Sequence, residues 1–502
     1  MDVVTSLPPE IWHHILSLLS IDDIKELALA HRIFYAYGRP FLWHTLNLCS
    51  LRKSDRIRTR TILQDPALGL YVQHLLLAPN NNEQLERYSP APGVEWYIQN
   101  PTNVWVCPSV RTWLDVAKRV NWRKPRHSLL HFRISRKTVD VAAELAPLLT
   151  NVRKISFHPR FYEDLQPNPH PYCQVLRSIC PNRVRCLDLN FCSASAFYLF
   201  AEIVRELQIT FELLDTLILS IAVFYDVAFP WEFKRDIQTI ADIGRPSLQS
   251  LSVCWGVGKE TPKTEDLFDG LGFFPRLSSF HLTWSRDPDY IAGFLLKHQA
   301  TLSQIGFKNR LSSLLTFLPR IPRLPHISSV NLVNVAITYP YIAVIKPEFS
   351  FCAHSITALS IRNTHRNYHG FSYQDLFDLV SSLCIPEHGS CLRRLRIAVK
   401  YLSPEVFDIL SNYLTRLQTL DITYWHLVGD IRESSNVSQQ GLFWRNMRYR
   451  QYSDWRLRCL DASRFVYGNS IRNFPLLRLL SRRIPAVQEL GPFDWTDIEI
   501  KT

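Results

Sequence analysis

Among the 11 cysteines of this 502-residue chain there is no Cys-x-x-Cys pair. Thiols scattered in that way fit reduced, mostly buried side chains and argue against a disulfide framework or a zinc site. Nor is there an apolar run long enough to span a bilayer, because the longest, around Leu217 to Tyr225, is closed by Asp215 and Asp226. A basic n-region and apolar h-region are missing too, and Asp2 and Pro8-Pro9 stand where a secretory signal would need them. The expectation is a soluble intracellular protein of cytoplasm or nucleus, with no membrane partner and no glycan on Asn436-Val437-Ser438.

Catalytic signatures are missing as well. Gly256-Val257-Gly258-Lys259-Glu260 lacks the first Walker glycine and the hydroxyl residue after Lys, so it is not a phosphate loop. His365 and His369 have a metal-compatible spacing, but no Glu follows His365, and Asn367 and Gly370 suggest a loop. No G-x-S-x-G or G-x-G-x-x-G stands in a strand–helix context. The expectation is a non-catalytic protein with no cofactor and no metal.

What is present is a large stock of core material, 46% hydrophobic residues with 12% aromatics. The length suits two or three ordinary domains, or one elongated repeat domain plus a module. A net charge of +12 favours acidic partners only in a general way, since surplus Lys and Arg also serve solubility.

Two patterns organise the chain. In the first, Leu7, Ile11, Ile15, Leu18 and Leu19 recur at the period of one helix face, with Pro8 and Pro9 suited to its first turn. A second helix is expected near Asp22-Asp23, whose carboxylates can cap it, carrying Ile24, Leu27 and Ala28; Arg39-Pro40 is expected to break the chain before Phe41-Leu42-Trp43.

The order Leu7-Pro8-Pro9-Glu10-Ile11, Ile15-Leu16, Leu19, Asp22-Asp23-Ile24, Leu27-Ala28, Phe34-Tyr35 and Leu42-Trp43 resembles an F-box, although His31-Arg32-Ile33 replaces the usual Cys-Arg before the aromatic pair. The resemblance implies a module that binds the small Skp-family adaptor of a cullin–RING (SCF-type) ubiquitin ligase. Adaptor binding would fall to Leu7, Pro8, Ile11, Ile15, Leu16, Leu19, Ile24, Leu27 and Trp43, some of which must instead hold the helices together.

The second pattern is a repeat, apolar-x-x-apolar-x-apolar, beginning at Val152, Val184, Leu214, Leu248, Leu277, Leu302, Ile327, Ile356, Leu392 and Leu417. Copies follow one another at intervals of 25 to 36 residues, most x positions are polar or small, and Pro181, Pro246, Pro275 and Pro325 introduce several of them. Weaker copies stand at Val72–Leu77, at Leu129 through Ile134 and at Val487–Leu490. Between copies, helical faces are expected at Phe197, Phe200, Val204 and Leu207, at Leu376, Val380 and Leu383, and at Val406, Ile409, Leu410 and Tyr413 after the cap pair Ser403-Pro404. Stacked units of helix, turn and strand resemble the leucine-rich-repeat solenoids that follow an F-box in a large family, with Cys180 through Leu189 the best local match and Cys192 in the place usually held by Asn or Cys.

The fold class expected is therefore α/β: a small helical F-box followed by an irregular leucine-rich-repeat-like solenoid of parallel inner strands and outer helices. Its domains are 1–50, the F-box; 51–128, a linker and irregular start of the repeats; and 129–502, the solenoid, with an insertion at about 425–486. Within 51–128, Arg52 through Arg60 reads as a solvated basic stretch, residues 79–109 as a loop, and 109–120 as a short helix.

Alternation then assigns faces. Positions one, four and six of each copy turn to the helices, whereas three, five and seven face the concave side. Candidate substrate-binding residues there are Asp188, Ser252, His281, Gln304, Lys308, Asn331, Arg362, Arg394, Arg396 and Asp421, with Asn190 and Ser360 on the same face. Phe191, Trp255, Trp284 and Tyr424 follow the strands; by parity they point inward and favour core packing over a recognition stripe. Five arginines and four aromatics alternate between Trp444 and Arg458, a composition that suits either single-stranded nucleic acid or cation–π packing against the solenoid end, of which packing is preferred. The function implied by resemblance is a substrate-recognition subunit that links adaptor and cullin to a protein substrate. A ligase-independent binding scaffold and a nucleic-acid or phospho-ligand binder acting through 444–458 remain as alternatives.

Overall fold

Pro8 and Pro9 open the first helix as expected, because neither residue needs an N–H there. The computed structural model describes residues 7–48, 53–77, 144–158, 176, 179, 183–191, 194–208, 210–221, 232–255, 264–284, 290–309, 317–334, 352, 355–363, 370–384, 390–429, 440–466 and 469–491. The phosphate-loop candidate at 256–260, the histidine pair at 365 and 369, the sequon, residues 79–109 and 109–120, the weak copy at 129–134, Pro181 and Cys192 lie outside them. The chain divides into two compact units, Met1–Gly244 with Gly258–Thr261, and Arg245–Val257 with Pro262–Thr502.

In the first unit, α1 (Pro9–Ser17), α2 (Ile21–Ala30) and α3 (Arg32–Leu42) precede β1 (Thr45–Asn47). The Asp23 carboxylate caps α2 as expected, accepting from the Ser20 N–H, and does so in a capping box whose other half is the Ser20 hydroxyl accepting from the Asp23 N–H; Asp22 pairs with Lys25 instead. His31, the departure from the F-box pattern, caps α3 by accepting from the Ile33 N–H. Pro40 does not break α3, which runs on to Leu42. Then come α4 (Lys53–Gln64), β2 (His74–Leu77), β3 (Lys154–Phe157), β4 (Cys186–Phe191), α5 (Ala194–Leu207), β5 (Thr216–Ile221) and α6 (Phe233–Asp242). Strands β1 to β5 pair in sequence order, all parallel.

The second unit continues with β6 (Ser250–Trp255), α7 (Thr264–Leu271), β7 (Ser279–Trp284), α8 (Ile291–Lys297), β8 (Gln304–Asn309), β9 (Ser329–Asn334), β10 (Ala358–Asn363) and α9 (Tyr373–Ser382). It closes with β11 (Arg394–Leu402), α10 (Pro404–Tyr413), β12 (Thr419–Leu427), α11 (Gln440–Arg448), β13 (Cys459–Val466), β14 (Asn469–Arg472), α12 (Phe474–Arg483) and β15 (Glu489–Leu490). Strands β6 to β13 are parallel and in order; β14 is antiparallel to β13, and β15 parallel to it. Between β8 and β9 the described residues form a 3-10 turn, Leu318–Arg320.

Position four of the repeat carries the core. Leu251, Phe280, Ile305, Val330, Leu359, Leu395, Leu420 and Leu460 stand in register across eight strands and are all buried. Each such side chain is worth roughly 2 kcal/mol of burial. Position two supplies a backbone device that recurs through both units: its carbonyl accepts two consecutive amides of the next copy. Gln249 takes Ser278 and Ser279, Ser303 takes Ser328 and Ser329, and Arg393 takes Gln418 and Thr419.

All ten full copies form strands. Two more copies each carry one apolar residue outside Leu, Ile, Val and Phe. Trp43-x-x-Leu46-x-Leu48 precedes β2, and the His44 carbonyl accepts from Gln73 and His74. Leu457-x-x-Leu460-x-Ala462 forms β13, so the stretch taken as an insertion at 425–486 carries a regular strand of the ladder.

Gly370, with φ at 79°, lets Phe371 bridge to β11, where the Phe371 N–H donates to Ala398 and the Lys400 N–H to Phe371. A Cβ there would sit 2.6 Å from the Ala398 carbonyl oxygen. Gly370→Ala is expected to cost about 1–2 kcal/mol in urea unfolding from the left-handed backbone alone; an unchanged midpoint would refute the assignment.

Candidate functional site

The N-terminal helices close a small core around Leu16 and Ile24, both almost fully buried, with Gly38 bringing α3 close to Ile24. Leu16 and Ile24 therefore act as helix-packing residues and are withdrawn from any docking surface. Outside this core, Leu7, Pro8 and Ile11 are exposed, and Ile15, Leu19, Leu27 and Trp43 are half-buried. Four further apolar side chains stand outward that the sequence pattern did not single out for docking: Ile21, Tyr35, Leu18 at 74% exposure and Leu29 at 89%. Their signal was available, since Leu29 falls off the Ile24–Leu27–Ala28 stripe. The N-terminal module thus leaves Leu7, Ile11, Leu18, Ile21, Leu29 and Tyr35 exposed.

The basic segment after this module is helix α4, and Arg58 has a structural task. Its guanidinium donates to the Leu42 and Thr45 carbonyls and lies 5.9 Å from the Trp43 ring centroid, so it ties the end of α3 to β1. Beside it is a cavity of about 370 Å³ lined by Leu19, Ile21, Ile24, Phe41, Leu42, His44, Thr45 and Arg58.

On the open strand face of the first unit, Asp188 joins a polar cluster. Ser156 Oγ donates to Asp188 at 3.0 Å and contacts His74 Nε2 at 2.8 Å; Lys154 and His158 each approach the carboxylate at 3.4 Å. Burial would raise the Asp188 carboxyl, but His158, Lys154 and Ser156 outweigh it and hold it below its ordinary range. Burial, reinforced by Lys154, lowers His74 to about 4. The three residue types invite comparison with a nucleophile triad, yet the order is wrong: the serine lies between His and Asp, gives its proton to the carboxylate and is almost fully buried. Among the described residues no group of three or more His, Cys, Asp and Glu could hold a metal, and no helix is long and apolar enough to cross a membrane.

In the second unit, Ser252, Gln304, Lys308, Arg362, Arg394 and Arg396 are half-buried along the same kind of face, while His281, Asn331 and Asp421 are buried. Alternation gave the side of the sheet correctly, but neighbours cover position five: the His281 ring lies over Gly306, which has no side chain, and Arg396 lies on Asp421 at 2.9 Å. His281, Asn331 and Asp421 are thus poor first contacts for a partner. Lys308 and Arg362 occupy one row on either side of Val333. Burial and then Arg362 lower the Lys308 pKa.

Phe191, Trp255 and Tyr424 are buried, as core packing requires. Part of the Arg-aromatic segment also packs inward, while Arg445, Arg448, Tyr449, Arg456 and Arg458 stay exposed. Arg450 pairs with Asp408 and Glu405 at 2.9 Å each, Tyr452 donates to Asp408 at 2.7 Å, and Trp455 donates to the Leu414 carbonyl. The contacts are ion pairs and hydrogen bonds rather than the expected cation–π pairs, and they remove Arg450, Tyr452 and Trp455 from a nucleic-acid surface. The Ser403 hydroxyl, expected to cap α10, makes no capping hydrogen bond, and Tyr413 is exposed rather than on the buried face.

No family model and no curated protein matches the chain. Among solved structures it is similar to the complex of Rad7 and Elc1 in yeast, at 10% identity and a TM-score of 0.30 over 60% of this chain and 76% of that one. It is also similar to a TLR13–ssRNA13 complex, at 14% identity and a TM-score of 0.24 over 70% of this chain and 63% of that one.

Proposed function

We propose that the chain is an F-box-type substrate receptor: the N-terminal helices dock a Skp-family adaptor, and through it a cullin–RING ligase, while the leucine-rich-repeat-like strand face holds a protein substrate. The observation that carries this reading is the apolar surface of the N-terminal module, where Leu7, Pro8 and Ile11 of the F-box-like sequence stand exposed over a core already closed by Leu16 and Ile24. Residues of that motif that were only core would be covered. A receptor of this kind needs no nucleophile of its own, because its contribution is proximity: it raises the effective concentration of a substrate lysine near a charged ubiquitin carrier.

Ile11→Asp places a charge on the exposed face and leaves the Leu16–Ile24 core untouched. Capture of purified Skp-family adaptor by the full chain is expected to weaken at least about a hundredfold, in line with the loss of a central interface anchor. If wild-type chain captures no adaptor, or Ile11→Asp captures it equally well, the reading fails.

A further inference from the structure

The open strand face of the second unit changes character at its C-terminal strands. Each of β11 and β12 runs nine residues, against six for each of β6 to β10. Tyr424 points into the core, so alternation turns Trp425 outward. Tyr424 pairs with Arg464, which sets Trp425 beside Phe465; their rings stand 4.9 Å apart, tilted by 37°. Lys400 occupies the same outward row on β11, 4.8 Å from the Tyr401 ring.

Below this aromatic row the floor is low, formed by Ala398, Thr423 and Ser463 in adjacent register. Next comes a charged row whose two carboxylates are both engaged, Asp421 by Arg396 at 2.9 Å and Asp461 by Arg472 at 3.7 Å. Arg394 and Lys400 have no carboxylate partner among the described residues. The surface thus offers a ring pair, a shallow floor and uncompensated positive charge at both ends, spaced about 20 Å apart by six strand residues.

We propose that this corner binds an extended acidic peptide segment of a protein partner. An aromatic side chain would lie on the low floor against Trp425 and Phe465, and acidic groups on either side would reach Arg394 and Lys400. Rigid aromatic anchors flanked by cations are typical of energetic centres in protein recognition. A nucleic acid fits less well: it carries a phosphate at every nucleotide and must lay some of them against the row that holds Asp421 and Asp461, whereas a peptide can keep its acidic residues to the two ends and pass that row with neutral ones.

The proposal rests on the reading of the strand face as the substrate-holding surface, and its test is kept apart from adaptor capture. The full chain is applied to arrays of Glu-flanked and Lys-flanked peptides carrying each residue type at a central position. Selection of Trp, Tyr or Phe at the centre is expected. Trp425→Ala should weaken the selected peptide at least about tenfold, and Lys400→Glu should shift selection from Glu-flanked toward Lys-flanked peptides, which mere loss of packing would not do. Both variants should keep wild-type melting and adaptor capture. An array with no aromatic preference, a preference indifferent to Trp425→Ala, or displacement of the peptide by oligouridylate would overturn the proposal. Loss of adaptor capture by the wild-type chain would instead end the ligase reading and leave the peptide result standing.

Discussion

Phe280→Ala is expected to destabilise the second unit by about 3–5 kcal/mol, the cost of deleting a buried phenylalanine from a core that collapses only in part. Phe280 occupies position four of β7, between Leu251 and Ile305 in register, and is fully buried. Its ring centroid lies 5.1 Å from that of Phe294 on α8 and 6.3 Å from that of Phe268 on α7, so one side chain ties the strand to both neighbouring helices. Phe280→Leu keeps most of the volume and should cost less than about 1.5 kcal/mol. Urea unfolding measures both. Because repeats contact mainly their neighbours, hydrogen exchange should speed up most in β6, β7 and β8 and least in β12 and β13. Equal loss in the two variants, or acceleration spread evenly over the unit, would contradict the stacked-core account.

Why the ladder could be read from sequence follows from this geometry. A strand buried on one side repeats with period two, and a stack of such strands repeats the whole hexad, so Leu251, Phe280 and Ile305 announce themselves by spacing alone. The limits are physical too. Trp43 and Ala462 serve in the same positions, but a ring and a methyl group lie outside a pattern written for branched aliphatics and Phe, which hid β1 and β13. Period also says nothing about neighbours one strand away. Asp421 was assigned to the correct face, yet its burial depends on Arg396, 25 residues earlier. In the N-terminal module, sequence order pointed to the right helices but could not divide core from surface. That division rests on how Gly38 admits Ile24, leaving Leu18 and Leu29 outside.

Acid is expected to weaken the second unit well before its carboxylates titrate, and His298 is the residue to follow. The imidazole is almost fully buried at the end of α8, its Nδ1–H donating to the Phe294 carbonyl at 2.8 Å and its Nε2 accepting from the Phe274 N–H at 2.9 Å. A proton on Nε2 would set donor against donor in a dry site. Burial, then Lys297 and Arg245, lower its pKa, with the Phe294 carbonyl opposing, and burial lowers His281 to about 4. A histidine whose folded pKa is depressed binds fewer protons than its unfolded form between the two values. Its contribution is therefore complete above the unfolded value, near 6.5, and is lost as pH falls toward the folded one. For His281 that difference corresponds to about 3 kcal/mol. Asp461 works in the opposite direction, since burial raises its carboxyl and favours the acid form. Comparison with a variant removes that background. His298→Gln can accept from Phe274 and donate to Phe294 without titrating, so between pH 6.5 and 4 its stability should fall less steeply than that of the wild-type chain. Parallel pH profiles would show that His298 carries no share of the acid sensitivity.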